Sequence, residues 1–313
     1  MALDPIAEQM LAQMAAMGSP PLHTLTPEQI RAARMPLPPG PDVHHVEDLE
    51  APGPDGPIPV RIYWPREAQD LPALLWFHGG GWVIGSVEGE DATARRLATL
   101  ADCVVVSVEY RLAPEHPYPA AVTDAYAAIV WTVQNAPRLG VDPARVAIAG
   151  YSAGGNLAAV AAQLLRDRGG PTPVHQVLVN PVTDCAMDTP SYAENDRYIL
   201  TPEVMRWFFD HYCPEGGIRT RPDISPLRAS DLSGLPPATV VTAEYDPLRD
   251  EGMAYAEAMR AAGVPVEARC FPGQMHTFFV NAHLFPQGQQ AVEMVAERLR
   301  TAFARAAATS SNP

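Results

Sequence analysis

A chain of 313 residues with 47% apolar content is long enough to bury one large core, which excludes a disordered tail or a minimal disulfide scaffold as its overall description. Its formal net charge of −14 sets up a negative field that repels nucleic acid and anionic membrane surfaces, so neither is expected as a partner. All 22 basic side chains are arginine, and the missing lysine removes phosphate-binding P-loops and Schiff-base chemistry from consideration.

The N-terminal stretch MALDPIAEQMLAQMAAM carries acids, lacks the basic leading segment of a signal peptide, and places Ile6, Met10, Leu11, Met14 and Met17 at helical spacing. No window of about 18 residues is uninterruptedly apolar, so a cytoplasmic protein without membrane insertion is expected. Thr26, Pro27 and Glu28 open a second short helix, and the proline-rich link MPLPPGP follows it. Beyond Asp42 the pattern changes to strand-like runs: VHHVEDLE, IPVRIYW, ALLWF, CVVVSVEY, RVAIAG, HQVLVN, ATVVTAE and VEARCF. From ALLWF onward they alternate with helical stretches at 90–100, 120–135, 153–167, 249–262 and 287–307. Buried β-branched runs alternating with helices predict an α/β fold, a mostly parallel eight-stranded sheet with helices on both faces. The turn signal APGPDGP between the first two strands predicts an antiparallel edge.

More than fifty residues separate HQVLVN from ATVVTAE, and they include a helix start at Thr201-Pro202-Glu203 and an aromatic stripe at Trp207, Phe208 and Tyr212. An insertion of that length at the carboxyl ends of strands covers a site. The expected organisation is therefore N-terminal cap helices over 1–40, a first part of the core over 41–185, a helical cap insertion over 186–220 and a second part of the core over 221–313. Cys103, Cys185, Cys213 and Cys270 are scattered without a C-x-x-C pair and read as free buried thiols. No H-E-x-x-H or other metal spacing occurs, so no metal is expected.

Chemistry concentrates in GYSAGG, residues 150–155. Gly150-x-Ser152-x-Gly154 follows the apolar strand RVAIA and precedes the helix former NLAAVAAQLLR, so Ser152 falls in a sharp strand-to-helix turn with its hydroxyl above the sheet. A serine hydroxyl needs a positioned base, and the base needs a carboxylate to fix its tautomer. Asp246 lies just past the end of ATVVTAE, and His276 lies in the loop after the next strand, in the order Ser152, Asp246, His276 that a nucleophile elbow demands. Glu244 sits within the strand, Asp250 and Glu251 begin a helix, and His283 comes one loop late, so these are weaker candidates. His78-Gly79-Gly80-Gly81-Trp82 directly follows ALLWF. There the amides of Gly79 and Gly80, joined by that of Ala153 at the positive end of its helix, can face a developing oxyanion, with His78 shaping the loop. Apolar residues placed to form a substrate pocket are Met10, Met14, Trp82, Met205 and Phe209, with Tyr151 beside the serine.

HGGGW, YRLAPEHPYPAA at 110–121, GYSAGG, DPLRDEG at 246–252 and the loop histidine together resemble the bacterial hormone-sensitive-lipase-like carboxylesterases of the α/β-hydrolase fold, over nearly the whole chain. The resemblance implies Ser152 as nucleophile, His276 as general base, Asp246 as orienting acid, and the amides of Gly79, Gly80 and Ala153 as oxyanion hole. It also implies a small-molecule ester substrate of short to medium acyl chain, no cofactor, a homodimer through the last strand and its neighbouring helix, and a scaffolding role for Tyr110, Arg111 and Glu115. An acyltransferase or amidase using the same triad, or a receptor holding a small ligand on this scaffold, are the alternatives. Two positions depart from the family pattern: Tyr151 stands where it usually has Asp, and Thr277 where it usually has Gly.

Overall fold

The eight strand-like segments join one sheet in the order β1-β2-β4-β3-β5-β6-β7-β8 in the computed structural model, which describes residues 2–33 and 38–310. Residues 34–37, which include the start of the proline-rich link, lie outside the described residues. β1 (His45–Gly53) and β2 (Gly56–Trp64) form a hairpin whose ends pair Gly53 with Gly56 across a two-residue turn. β2 is also antiparallel to β4 (Val104–Val108), whereas β4, β3 (Leu71–Phe77), β5 (Val141–Tyr151), β6 (Gln176–Val179), β7 (Ala238–Tyr245) and β8 (Val266–Met275) are all parallel. The antiparallel edge expected from APGPDGP thus comprises the first two strands.

The parallel strands read as continuous apolar runs because both faces are covered: every residue of β3, β4 and β6 is buried. Alternation along β3 divides the interior. Ala73, Leu75 and Phe77 face one apolar cluster, and Leu74 and Trp76 face the other. Two N-terminal helices, α1 (Pro5–Ala16) and α2 (Pro27–Ala32), precede the sheet. Of the crossover helices, α3 (Asp91–Ala101) and the C-terminal α10 below supply Leu97 and Val295 to the Trp76 side. α4 (Ala120–Gln134), followed by the single turn α5 (Ala136–Leu139), α6 (Ala153–Asp167) and the later α9 close the other side with Ala125, Leu157 and Tyr255. Between β6 and β7 the chain forms α7 (Pro190–Glu194) and α8 (Pro202–Tyr212), then continues through β7 into α9 (Arg249–Ala261), and after β8 into α10 (Pro286–Ser310). Thr201 caps α8 by accepting the Val204 N–H at 3.3 Å, and Thr26 forms a capping box with Gln29 at the start of α2.

The N-terminal segment is tied down by polar contacts. Asp4 N–H donates to the Gly273 carbonyl at 2.8 Å, and the Asp4 carboxylate accepts from Gln274 at 2.9 Å, fastening α1 to the end of β8. Arg31 of α2 donates to the carbonyls of Val83 and Ala113, each at 2.7 Å, and pairs with Glu115 at 2.7 Å. It therefore bridges the glycine loop after β3 and the YRLAPEHPYPAA segment. Among the described residues no helix is long and apolar enough to cross a membrane.

Glu251, on the first turn of α9, is buried beneath the loop after β6, and its Oε1 accepts the N–H groups of Thr183 and Asp184 at 2.7 and 3.2 Å. Burial outweighs those two bonds and pushes its carboxyl up to about 8. An unfolded glutamate titrates near ~4.3, so between there and pH 8 the folded protein holds a proton that the unfolded chain has released. The stabilisation is complete at the acid end of that window and is lost as pH rises through it. The melting midpoint is expected to fall between about pH 5.5 and about pH 8.5, and Glu251→Gln to shrink that fall. Differential scanning calorimetry at the two pH values checks it, and an undiminished fall in the variant removes Glu251 as its source.

Candidate active site

The turn after β5 carries the site. Gly150 is the penultimate residue of β5, and a Cβ there would stand 2.1 Å from the Gly154 carbonyl oxygen. A Cβ on Gly154 would stand 1.9 Å from the Phe77 carbonyl oxygen, so α6 can begin hard against β3 only with glycine at this place. Between them Ser152 adopts φ 57°, ψ −118°, a region that costs an L-residue about 1–3 kcal/mol and persists only where its surroundings dictate it. Those surroundings are explicit: Ser152 N–H donates to Val179 at 2.8 Å, its carbonyl accepts from Asn156 at 3.0 Å and Val182 at 3.3 Å, and the Asn156 side chain donates to Val182 and Ile224.

The hydroxyl so presented lies 3.0 Å from His276 Nε2, and His276 Nδ1 lies 2.6 Å from Asp246 Oδ2. The other carboxylate oxygen of Asp246 accepts the Leu248 N–H at 3.0 Å, which fixes the acid at the head of the DPLRDEG turn. All three residues are buried, Asp246 completely. The sequence-predicted trio, drawn from the ends of β5, β7 and β8, therefore meets in one hydrogen-bonded chain. Glu244 instead accepts from Gly273 N–H, Asp250 accepts from Ser191 N–H and pairs with Arg249, and Glu251 lies under the loop after β6.

His78 is buried with its ring stacked on Tyr110 at 4.3 Å, and the Tyr110 hydroxyl donates to the His78 carbonyl at 2.8 Å, so both shape the glycine loop. Arg111 holds the buried Asp124 and also Asp55, consistent with scaffolding. One expectation for this loop is corrected. The Gly79 N–H donates to Glu90 Oε1 at 2.7 Å, so it is already engaged by a carboxylate. The glycines that border the space at Ser152 are Gly80 and Gly81.

That space is a cavity of about 170 Å³ lined by Leu22, Ile84, Ile199, Leu200, Val204 and Phe208 around Ser152, Tyr151 and His276. Of the six expected pocket residues only Tyr151 borders it. Trp82 is fully buried in a stack against Tyr212 at 4.1 Å and lies 5.4 Å from Phe209, while Met205 and Phe209 turn into the same packing. Met10 packs against the other side of the sheet, and Met14 is 39% exposed. The reason on α8 is phase: Val204 and Phe208, four residues apart, form the stripe toward the cavity, and Met205, Phe209 and Tyr212 form the next stripe. A larger cavity of about 590 Å³ lies at the other ends of the strands, near His175, Arg298 and Arg305, remote from this constellation.

Tyr151 joins the three parts of the site. Its ring rests on Gly79, where a Cβ would approach Cδ1 to 2.4 Å, and lies 5.0 Å from the His276 ring. Its hydroxyl donates to the His276 carbonyl at 3.2 Å, a carbonyl that also accepts from Asn180 at 2.6 Å. Burial pushes the phenol well above its ordinary value, so it stays a neutral donor. Asn180 and Glu90 are site residues that the sequence offered no motif for.

A strained serine turn at the carboxyl edge of a mostly parallel sheet, with a histidine and a buried aspartate from later strands, defines an α/β-hydrolase. The model of the alpha/beta hydrolase fold family matches residues 74–280. The chain is 48% identical over 239 residues to carboxylesterase NlhH of Mycobacterium tuberculosis, covering 75% of each, and 38% identical over 263 residues to the ethyl acetate hydrolase of Pseudomonas putida, covering 82% of each. The hyperthermophilic esterase from the archaeon Pyrobaculum calidifontis superimposes with a TM-score of 0.90 at 42% identity, covering 96% of this chain and 99% of that one. The chain belongs to the hormone-sensitive-lipase-like carboxylesterases of the α/β-hydrolase fold.

Because Asn180 keeps hold of the His276 carbonyl, Tyr151→Phe should lower kcat only a few-fold, in keeping with about 1 kcal/mol for one neutral hydrogen bond. Tyr151→Ala removes the ring between Gly79 and His276 and should cost far more. Steady-state kinetics on a p-nitrophenyl ester separates the two, and equal losses would locate the role of Tyr151 in its hydroxyl alone.

Proposed function

We propose that this carboxylesterase hydrolyses small esters of short acyl chain through a covalent acyl-enzyme on Ser152. The observation that carries the reading is the chain from Ser152 Oγ to His276 Nε2 at 3.0 Å and from His276 Nδ1 to Asp246 at 2.6 Å. Ser152 Oγ attacks the ester carbonyl while His276 Nε2 takes its proton. The tetrahedral intermediate collapses as His276 returns that proton to the leaving alcohol. Water then attacks the acyl carbonyl as His276 takes its proton, and the second tetrahedral intermediate collapses by breaking the bond to Ser152 Oγ, to which His276 returns that proton as the carboxylic acid departs. Asp246 orients the imidazole and stabilises its protonated form. The amides of Gly80, Gly81 and Ala153 are assigned to the oxyanion, the last at the positive end of the α6 dipole.

The cavity size supports a short substrate. About 170 Å³ is well under the roughly 300–1,000 Å³ of pockets for drug-sized ligands. That Leu22, Val204 and Phe208 line the cavity at Ser152 supports reading 1–40 and 186–220 together as a cap on a core of 41–185 and 221–313. The position of β8 at the sheet edge supports a homodimer formed by pairing of that strand with its copy.

Ser152→Ala should abolish turnover of p-nitrophenyl acetate while leaving the melting curve in place. Wild-type turnover in that variant would overturn the assignment. Phe208→Ala should enlarge the cavity and raise kcat/KM for longer acyl esters relative to acetate by about tenfold, at ~0.8 kcal/mol for each methylene newly buried. An acyl-chain series from acetate to octanoate reads the shift, and an unchanged profile would place the acyl group elsewhere.

A further inference from the structure

The mechanism leaves one titratable group at the site unused. Glu90 stands at the start of α3, partly exposed as a residue but with both carboxyl oxygens engaged by neighbouring N–H groups. Its Oε1 accepts the Gly79 N–H at 2.7 Å, and its Oε2 accepts the indole N–H of fully buried Trp76 at 2.6 Å. Trp76 in turn stacks on Phe279, 6.1 Å away and three residues beyond His276. One carboxylate thus joins the loop of Gly80 and Gly81 to the support of the loop that carries the histidine.

We propose that Glu90 is a positioning residue for this esterase, holding the Gly79 amide so that those of Gly80 and Gly81 face Ser152, and that it does so only while ionised. A carboxylate offers acceptor oxygens to both donors. A carboxylic acid has one carbonyl oxygen and one hydroxyl, so protonation sets an O–H against an N–H and releases either Gly79 or Trp76. The released loop no longer keeps its amides aimed at the oxyanion, which lowers kcat more than substrate binding.

The surroundings make this switch titrate near neutrality. The ionisable groups facing Glu90 from the neighbouring strands are Tyr110 and Tyr151, both buried, neutral and engaged with the carbonyls of His78 and His276. Glu109, after β4, faces the same region and accepts the Val87 N–H. On its own segment, Glu88 pairs with Arg61, and Asp91 pairs with Arg95 and accepts from Tyr63. Among the described residues no cation lies within ion-pair distance of the Glu90 carboxylate. Burial pushes its carboxyl up to about 7, with the Gly79 and Trp76 bonds pulling the other way. Below pH 7 the neutral acid predominates and the loop is released; above it the carboxylate holds.

The proposal rests on the oxyanion assignment given above, and Glu90→Gln tests it because an amide, like the protonated acid, presents one acceptor and one donor. The ratio of wild-type to variant kcat on p-nitrophenyl acetate should be about tenfold near pH 8.5 and approach one near pH 5.5, with KM changed less than about twofold; outright loss of an oxyanion donor costs ~100-fold or more. Taking the ratio divides out the acid limb that a histidine base imposes on both proteins. A ratio that stays constant with pH, or equals one throughout, would overturn the proposal. Independently of activity, and whether or not the variant folds, the indole N–H resonance of Trp76 in the wild-type protein should shift through neutrality as Glu90 titrates. A Trp76 resonance unmoved from about pH 5.5 to about pH 8.5 would also overturn it. A shifting resonance in a protein without Ser152-dependent turnover would place the fault in the esterase reading and leave the Glu90 titration standing.

Discussion

The backbone of Ser152 is held where an L-residue does not rest of its own accord, and the neighbouring structure is arranged to keep it there. The approach of α6 to β3 at Gly154, the crowding of Gly150 beneath it, and the bonds to Val179 and from Asn156 and Val182 all oppose relaxation of the turn. The same geometry raises the hydroxyl above the sheet and leaves the first amide of α6 beside it. A helix continuing smoothly from β5 would bury both. The strain at one residue is therefore what converts a strand end into a reactive surface.

Around that turn the site is built from parts distant in sequence and joined by short polar contacts. His276 is positioned through its backbone carbonyl, by Asn180 and Tyr151, as well as through its ring. The glycine loop is positioned from beneath by Glu90 and from outside by Arg31, which reaches the Val83 carbonyl from the N-terminal segment. Tyr151, where the family more often carries an acid, substitutes packing for charge: its ring fills the space between Gly79 and His276 and its hydroxyl needs no counter-ion. The carbonyl of His276 thereby receives a buried neutral donor.

Legibility in the sequence followed the range of the interactions involved. The parallel strands were readable because runs such as VVVSV and ALLWF are apolar or nearly so, which only a sheet covered on both faces makes sensible. The meeting of Ser152, Asp246 and His276 was readable because each follows a strand, and parallel strands deliver their carboxyl ends to one edge. The engagement of the Gly79 amide was hidden, since three consecutive glycines leave the direction of each N–H to whatever partner the fold brings, here a glutamate eleven residues on. The pocket residues were hidden for a different reason. Helix α8 is apolar on adjacent stripes, so Met205 and Phe209 are as plausible from spacing as Val204 and Phe208, and only the docked helix selects between them. Met10 and Met14 likewise follow a helical repeat whose orientation is set by Asp4 and the end of β8.

The parts of the site also differ in how firmly the sheet holds them. Ser152 follows β5, which has a strand on each side, whereas His276 follows β8, which within the chain has a neighbour on one side only. Local opening of a protein proceeds most cheaply from such margins. A fluctuation that peels β8 from β7 in a single chain withdraws the imidazole while the serine turn stays intact, and a copy paired along β8 would oppose that fluctuation.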